Sequence, residues 1–183
     1  MPNWAMGDVF ITGTRKEVLE FSDRFITEDS PSTVPGKRYF ARSFVEIPRK
    51  TLRADIKDAF KTAAEGEERT MCIFVSFAWS ATSCLIDGYP QDNTQECITL
   101  AEACVEDHVS VEIHTSEPGM CFEEEITCDY SGNITNIERD LSVFVCPECG
   151  ETTCLSSFED PDEAECWNCG HEGLDFAPRE RQR

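Results

Sequence analysis

Two cysteine pairs near the end of the chain, Cys146-Pro-Glu-Cys149-Gly and Cys166-Trp-Asn-Cys169-Gly, combine a residue type and a spacing that chemistry can use. Thiolates three positions apart on a tight turn bind one metal ion together, and two such turns supply the four sulfurs of a tetrahedral site. The glycine after each pair allows the turn that aims backbone amides at the sulfurs. The pattern predicts a zinc ribbon with Zn2+ on Cys146, Cys149, Cys166 and Cys169. Iron in a four-sulfur site is the rival occupant, because the geometry is the same, and colour would separate the two. A closed site of this kind leaves no coordination position for a substrate, so its expected role is in folding.

The remaining cysteines read differently. Cys154 and His171 are near enough in sequence to substitute as ligands, but neither has a spaced partner. Cys72, Cys84, Cys97, Cys104, Cys121 and Cys128 read as small hydrophobes in strands and on one helix face. An odd total of 11 cysteines, behind an opening Met1-Pro2-Asn3-Trp4 that lacks a signal-peptide pattern, points to thiols in a reducing compartment, and the expected location is cytoplasmic. No apolar run approaches the roughly 18 to 20 residues of a membrane span.

Catalytic signatures are scarce. The chain has 3 histidines, and His108 and His114, on one extended strand, would stand about 20 Å apart at roughly 3.3 Å per residue, too far to share a metal ion. There is no P-loop, dinucleotide fingerprint or nucleophile elbow. The acidic runs Glu123 to Glu125 and Glu159-Asp160-Pro161-Asp162-Glu163 read as solvated surface. The expectation is a protein that is not an enzyme.

Charge divides the chain more sharply than its total of -20 suggests. Residues 1 to 70 hold 12 acidic and 12 basic side chains, 71 to 145 hold 14 and 1, and 146 to 183 hold 10 and 3. The ribbon, with only Arg179, Arg181 and Arg183 against its carboxylates, would repel a phosphate backbone, which argues against nucleic acid binding there. One basic helix face, Lys50, Arg53, Lys57 and Lys61 with Arg42 and Arg49 nearby, is the candidate phosphate track; its plainer meaning is a solvated face. The acidic two thirds would steer basic protein partners toward the chain.

The elements that must position these groups follow a mixed pattern. Val9 to Thr12 reads as a strand, and Thr14 with Glu17 as the capping box of a helix whose Val18, Phe21 and Phe25 form an apolar stripe. A loop marked by Ser30-Pro31, Pro35 and Gly36 precedes an expected strand over Arg38 to Ile47. Pro48 opens a second helix with Leu52, Ile56, Ala59, Phe60 and Ala63 as its core face. Met71 to Ile86 reads as a central strand running into a loop, and Thr94 to Glu106 as a third helix whose face is Cys97, Leu100, Ala101, Cys104 and Val105. Strands at Val109 to Thr115 and Cys121 to Tyr130 lead through Ser131-Gly132-Asn133 into a return strand at Ile134 to Ile137. This alternation predicts an α+β fold, a sheet with helices packed on one face.

The opening Met1-Pro2-Asn3-Trp4, the segment Phe77-Ala78-Trp79-Ser80 and the segment Glu117-Pro118-Gly119-Met120-Cys121-Phe122 together resemble the YubB-like family of plasmid- and phage-borne proteins. The resemblance covers about residues 1 to 140 and implies a ferredoxin-like domain in a family that is largely uncharacterised. Ala5 stands where the family usually has Cys, Ala81-Thr82 where it has Pro-Pro, and Cys121 with Glu123 to Glu125 where it tends to be rich in glycine. Trp4, Trp79, Glu117 and Phe122 keep the signature side chains and form a candidate binding patch, against the alternative that they fill space between sheet and helices.

The expected organisation is therefore a ferredoxin-like domain over 1–141 and a zinc-ribbon extension over 142–183, joined without a linker through Val143-Phe144-Val145. The expected function is an acidic protein-interaction module. Its rivals are an anti-defence inhibitor that imitates nucleic acid and a small regulatory nucleic-acid-binding protein.

Overall fold

A computed structural model describes residues 3–25, 38–40, 43–45, 48–86, 97–154, 165–173 and 176–181. The loop punctuated by Pro31 and Pro35, the start of the third helix at Thr94, the acidic run at 159–163, Arg42 and Arg183 lie outside the described residues.

In chain order the elements are β1 (Trp4–Gly13), α1 (Arg15–Ser22), β2 (Ser43–Val45), α2 (Arg49–Ala59), β3 (Arg69–Ala78), α3 (Ala81–Leu85), α4 (Leu100–Asp107), β4 (Ser110–Glu117), β5 (Phe122–Cys128), β6 (Ile134–Val145), β7 (Thr152–Cys154) and β8 (Ala177–Arg181). The strands form one sheet in the order β2-β3-β1-β4-β5-β6-β7, with β8 also paired to β6. Neighbouring strands are antiparallel at every described pairing. The α+β class expected from the sequence is the observed one.

Period-two alternation sorts the sheet's side chains. Ala5, Val9 and Ile11 of β1 share a face with Ile73, Val75 and Phe77 of β3, with Val111 and Ile113 of β4, and with Phe122, Ile126 and Cys128 of β5. That face meets Val18 and Phe21 of α1, Leu52 and Ile56 of α2, and Leu100, Ala103 and Cys104 of α4 in one buried core. At its centre the rings of Phe25 and Phe40 stand 4.7 Å apart, and those of Phe21 and Phe25 5.5 Å apart.

Local chemistry sets the helix ends. Glu17 accepts the backbone N–H of Thr14 at 2.7 Å, closing the capping box of α1. A second box starts α4, where Glu102 accepts the Thr99 N–H at 3.0 Å. Pro48 caps α2 from outside, its carbonyl accepting from Thr51 and Leu52.

Several details depart from the sequence reading. The first strand is ten residues long because Ala5 extends the buried alternation back to Trp4. The strand expected over Arg38 to Ile47 is confined to Ser43–Val45 among the described residues, and Tyr39 makes an isolated parallel bridge to Cys97. Ala59 is exposed, although Leu52, Ile56 and Phe60 are buried as expected. Helix α4 buries Leu100, Ala103, Cys104 and Asp107 and leaves Val105 51% exposed, a face rotated from the expected one. Its rotation follows Asp107, whose carboxylate is neutralised by buried Arg24. The loop expected after β3 contains the five-residue helix α3, capped by the Ser80 hydroxyl. The return strand runs on to Val145, so β6 passes through position 141, with a register shift in its pairing to β8 between Asp140 and Phe144.

Candidate metal centre and signature residues

At the far end of β6 the chain enters its first cysteine turn. The Cys146 N–H donates to the Glu151 carbonyl at 2.9 Å and the Gly150 N–H to the Cys146 carbonyl at 2.9 Å. The second turn repeats this arrangement, with Cys166 N–H to His171 O and Gly170 N–H to Cys166 O, both at 2.8 Å. Gly150 and Gly170 each adopt φ +72°, a left-handed conformation that a side chain disfavours. Two nearly identical local turns thus face each other, the first carried between β6 and β7 and the second closed by an isolated bridge between Glu165 and Glu172.

Their sulfurs converge. The Sγ atoms of Cys146, Cys149, Cys166 and Cys169 all lie within 4.8 Å of one another, with Cys146 to Cys169 at 3.7 Å and Cys149 to Cys166 at 3.6 Å. A metal–sulfur bond of about 2.3 Å places tetrahedral ligands roughly 3.8 Å apart, so these residues fit a four-coordinate metal ion. Cys146 and Cys166 are buried, Cys149 and Cys169 exposed. The Cys149 thiol is pulled down to about 6 by the Glu151 backbone and the Asn168 side chain. Cys169, although the His171 backbone favours its thiolate, is pushed up to about 12 by desolvation and by proton sharing with the other three sulfurs. Four thiolates repel one another at this distance, and a bound cation is what would let all four ionise.

His171 serves the second turn through its carbonyl, and its ring lies 5.6 Å from that of Phe176 at a 50° tilt. Cys154 lies in β7, opposite Val143. Cys104 and Cys128 are buried together, and the hydrogen bond between their thiols, with burial, holds Cys104 far above the usual thiol range. Cys84 is buried and Cys97 half-buried, as small core residues are, while Cys72 and Cys121 are exposed.

The four signature residues come to one end of the sheet. Trp4 pairs with Ala78, the Trp79 N–H donates to the Asn3 carbonyl at 2.8 Å, and Glu117 stands opposite Phe122, which in turn faces Asp140. Trp4 and Trp79 are 37% and 42% exposed, whereas Glu117 and Phe122 are buried. The Glu117 carboxylate turns back to accept the Met120 N–H. Trp79 and Cys121, at φ +76° and +50°, are two of three non-glycine residues in the left-handed region among the described residues.

Lys50, Arg53 and Lys57 of α2, and Lys61 in the turn just after it, are all exposed. Arg53 is engaged through both its Nε and Nη2 by Asp23, and Lys61 lies 3.9 Å from Asp58. The face is thus partly neutralised by the chain's own carboxylates. His108 and His114 do not share a strand: His108 ends α4 in a left-handed conformation, and His114 sits in β4.

The sequence reading missed Glu124. It is 2% exposed, and its carboxylate accepts the N–H groups of Ala81 at 2.7 Å and Thr82 at 3.2 Å, satisfying the start of α3. In a run of three glutamates on a strand the middle one must face opposite to its neighbours, and that alternation was the available signal.

Comparison with models of protein families, with curated proteins and with solved structures finds no match. Among the described residues no helix is long and apolar enough to cross a membrane.

Proposed function

We propose that this chain is a non-enzymatic, acidic protein-interaction module whose ferredoxin-like sheet is braced by a structural zinc ribbon. The observation that carries the reading is charge: between residues 71 and 145, Arg139 is the sole cation against 14 carboxylates, of which Glu112, Glu123 and Glu125 of β4 and β5 lie on one face of the sheet. A surface of that kind accelerates encounters with basic proteins.

The ferredoxin-like reading draws support from the order β2-β3-β1-β4 with helices between strands, to which α2 is an addition between the second and third strands. The ribbon reading draws support from Val145, which pairs with Thr152 of β7 on one side and Ala177 of β8 on the other, beside the four sulfurs. Zinc suits an all-thiolate tetrahedral set that supports folding, and the ion would sit at Cys146, Cys149, Cys166 and Cys169 with no position left for substrate. The YubB-like motifs add the reading of a cytoplasmic protein carried by a plasmid or phage.

Capture from the native host with zinc-loaded chain, followed by identification of retained proteins, tests the reading. The expected result is a discrete basic protein whose retention falls as salt rises. Retention of nucleic acid alone, or turnover of a small molecule by the purified chain, would overturn it. One observation favours a second reading, an anti-defence inhibitor imitating nucleic acid: Asp8, Glu112, Glu123 and Glu125 occupy one face of the sheet. That reading requires competition with duplex DNA for a host nuclease or methyltransferase.

A further inference from the structure

We propose that the sheet face that no described helix covers is the docking surface of this module, and that its occupant is a cationic amphipathic helix of a partner protein. This inference rests on the interaction-module reading above and names its contact surface.

The face alternates with the core. Register places Met6, Asp8, Phe10 and Thr12 of β1 beside Cys72 and Phe74 of β3 and beside Glu112, His114 and Ser116 of β4, away from α1, α2 and α4. Met6 is 44% and Phe74 39% exposed, a large apolar area for two side chains on the same sheet face. Asp8 stands opposite Phe74 and between Met6 and Phe10 on its own strand, so apolar side chains flank it. The Phe10 ring meets His114 edge-on at 5.9 Å.

Carboxylates border this apolar centre. Glu112 lies opposite Phe10, while Glu123 and Glu125 of β5 lie opposite Ser116 and His114. Arg139 of β6 binds Glu123 at 3.2 Å and Glu125 at 3.0 Å, leaving the face acidic even after that pairing. Glu112 takes the His114 ring at 2.6 Å and is itself half exposed.

Size and charge select the occupant. Met6 to Phe10 spans about 13 Å of strand, the length of two to three helical turns. A helix there would complete a second layer on the sheet, matching the layer already formed on the other side. Its apolar stripe would cover Met6, Phe10 and Phe74, with Lys or Arg beside Asp8, Glu112 and Glu125. A second copy docking face to face would oppose carboxylate to carboxylate. The basic helix α2 cannot supply the complement, because its apolar stripe of Leu52 and Ile56 is buried in its own core.

The probe is a fluorescein-labelled Leu/Lys amphipathic peptide of about 16 residues, roughly 24 Å as a helix, compared with a scrambled peptide of identical composition. Anisotropy should show the amphipathic peptide binding at least about tenfold more tightly, and Phe74→Ser or Met6→Ser should each lose about tenfold, equivalent to ~1.4 kcal/mol. Glu112→Gln should reduce the salt dependence, and melting curves establish that each variant folds. Hydroxyl-radical footprinting should oxidise Met6 and Phe74 in the free monomer and show protection with peptide bound. Equal binding of the scrambled peptide, undiminished binding by Phe74→Ser, or protection of both side chains in the free monomer would overturn the surface. So would a dimer that Phe74→Ser dissolves. If a host protein captured by the chain binds Phe74→Ser undiminished, the surface falls and the module reading stands; if the chain retains no protein at all, both fall.

Discussion

The Sγ atoms of Cys146 and Cys169 lie 3.7 Å apart although 23 residues separate them in the chain. Two turns with matching hydrogen bonds produce that approach, and sulfurs at this distance have the spacing of ligands around one ion. Elemental analysis of freshly purified chain should therefore find one zinc per molecule, and Cys149→Ser or a strong chelator should remove it. Structural zinc contributes about 10–16 kcal/mol of apparent binding energy in small zinc-dependent peptides. Here the loss should concentrate in β7, β8 and the end of β6, with amides of β1, β3 and β4 staying protected in hydrogen exchange. Metal-free material with undisturbed exchange at residues 146–154 would count against the site.

Arg24 and Asp107 form the most deeply buried ion pair among the described residues, 4% and 7% exposed. Both guanidinium edges are used: Nη2 donates to Asp107 Oδ1 at 2.8 Å, Nε to Oδ2, and Nη1 to the Arg38 carbonyl at 2.8 Å. Removing Arg24 strands the Asp107 carboxylate in the core, which typically costs about 3–5 kcal/mol, whereas removing Asp107 leaves the guanidinium its bond to Glu106 at 2.9 Å. Arg24→Ala should show that loss in urea unfolding, and Asp107→Ala a smaller one. The double replacement Arg24→Met with Asp107→Leu should recover most of it, because neither charge is then stranded. Single losses below about 1 kcal/mol would contradict this account.

Trp79 holds a left-handed backbone, φ +76°, beside its hydrogen bond to Asn3. A side chain in that region costs roughly 1–2 kcal/mol, which glycine avoids. Trp79→Gly should therefore be more stable than Trp79→Ala by about 1 kcal/mol, although it removes the same indole. The comparison also separates the two roles offered for the signature residues. If both variants fold and lose a partner, the half-exposed indole belongs to a binding patch; if both fold and keep it, the indole covers the sheet end.

The four cysteines, the capping box at Thr14 and the stripes of α1 and α2 were legible in the sequence because each is local: spacing within one turn or helix carries the information. The face of α4 was not, since a pattern with Ala101 and Val105 fits one phase as well as Ala103 and Asp107 fit another. What decides it is Arg24, 83 residues away in sequence. Glu124 illustrates the same limit: charge suggested solvent, while the unpaired amides at the start of α3 drew its carboxylate inward. The full length of β6 is not legible in the sequence because polar Glu138, Arg139 and Asp140 interrupt its apolar pattern. Arg179 of β8 binds Asp140 at 3.2 Å, and Arg139 binds Glu123 and Glu125, contacts that only the assembled sheet provides.

Acid should weaken the start of α4 through Glu102. Its carboxylate accepts the Thr99 backbone N–H at 3.0 Å, the Arg38 guanidinium at 3.0 Å and the Thr99 hydroxyl at 2.9 Å, which hold it well below the ordinary carboxylate value, at about 2. Unfolded, the same group takes up its proton near 4.5. Between those values the unfolded chain binds more protons than the folded one, so this contribution is complete above about pH 4.5 and disappears as pH falls toward 2. Because Glu102 is half exposed, water screens its pairing, and the effect should be about 1 kcal/mol or less. Glu102→Gln should flatten that part of the acid stability curve by a corresponding amount while changing little at low pH, as measured by urea midpoints from pH 6 down to 2. An unchanged acid slope in the variant would show that the hydrogen bonds at Thr99 and Arg38 do not hold the charge.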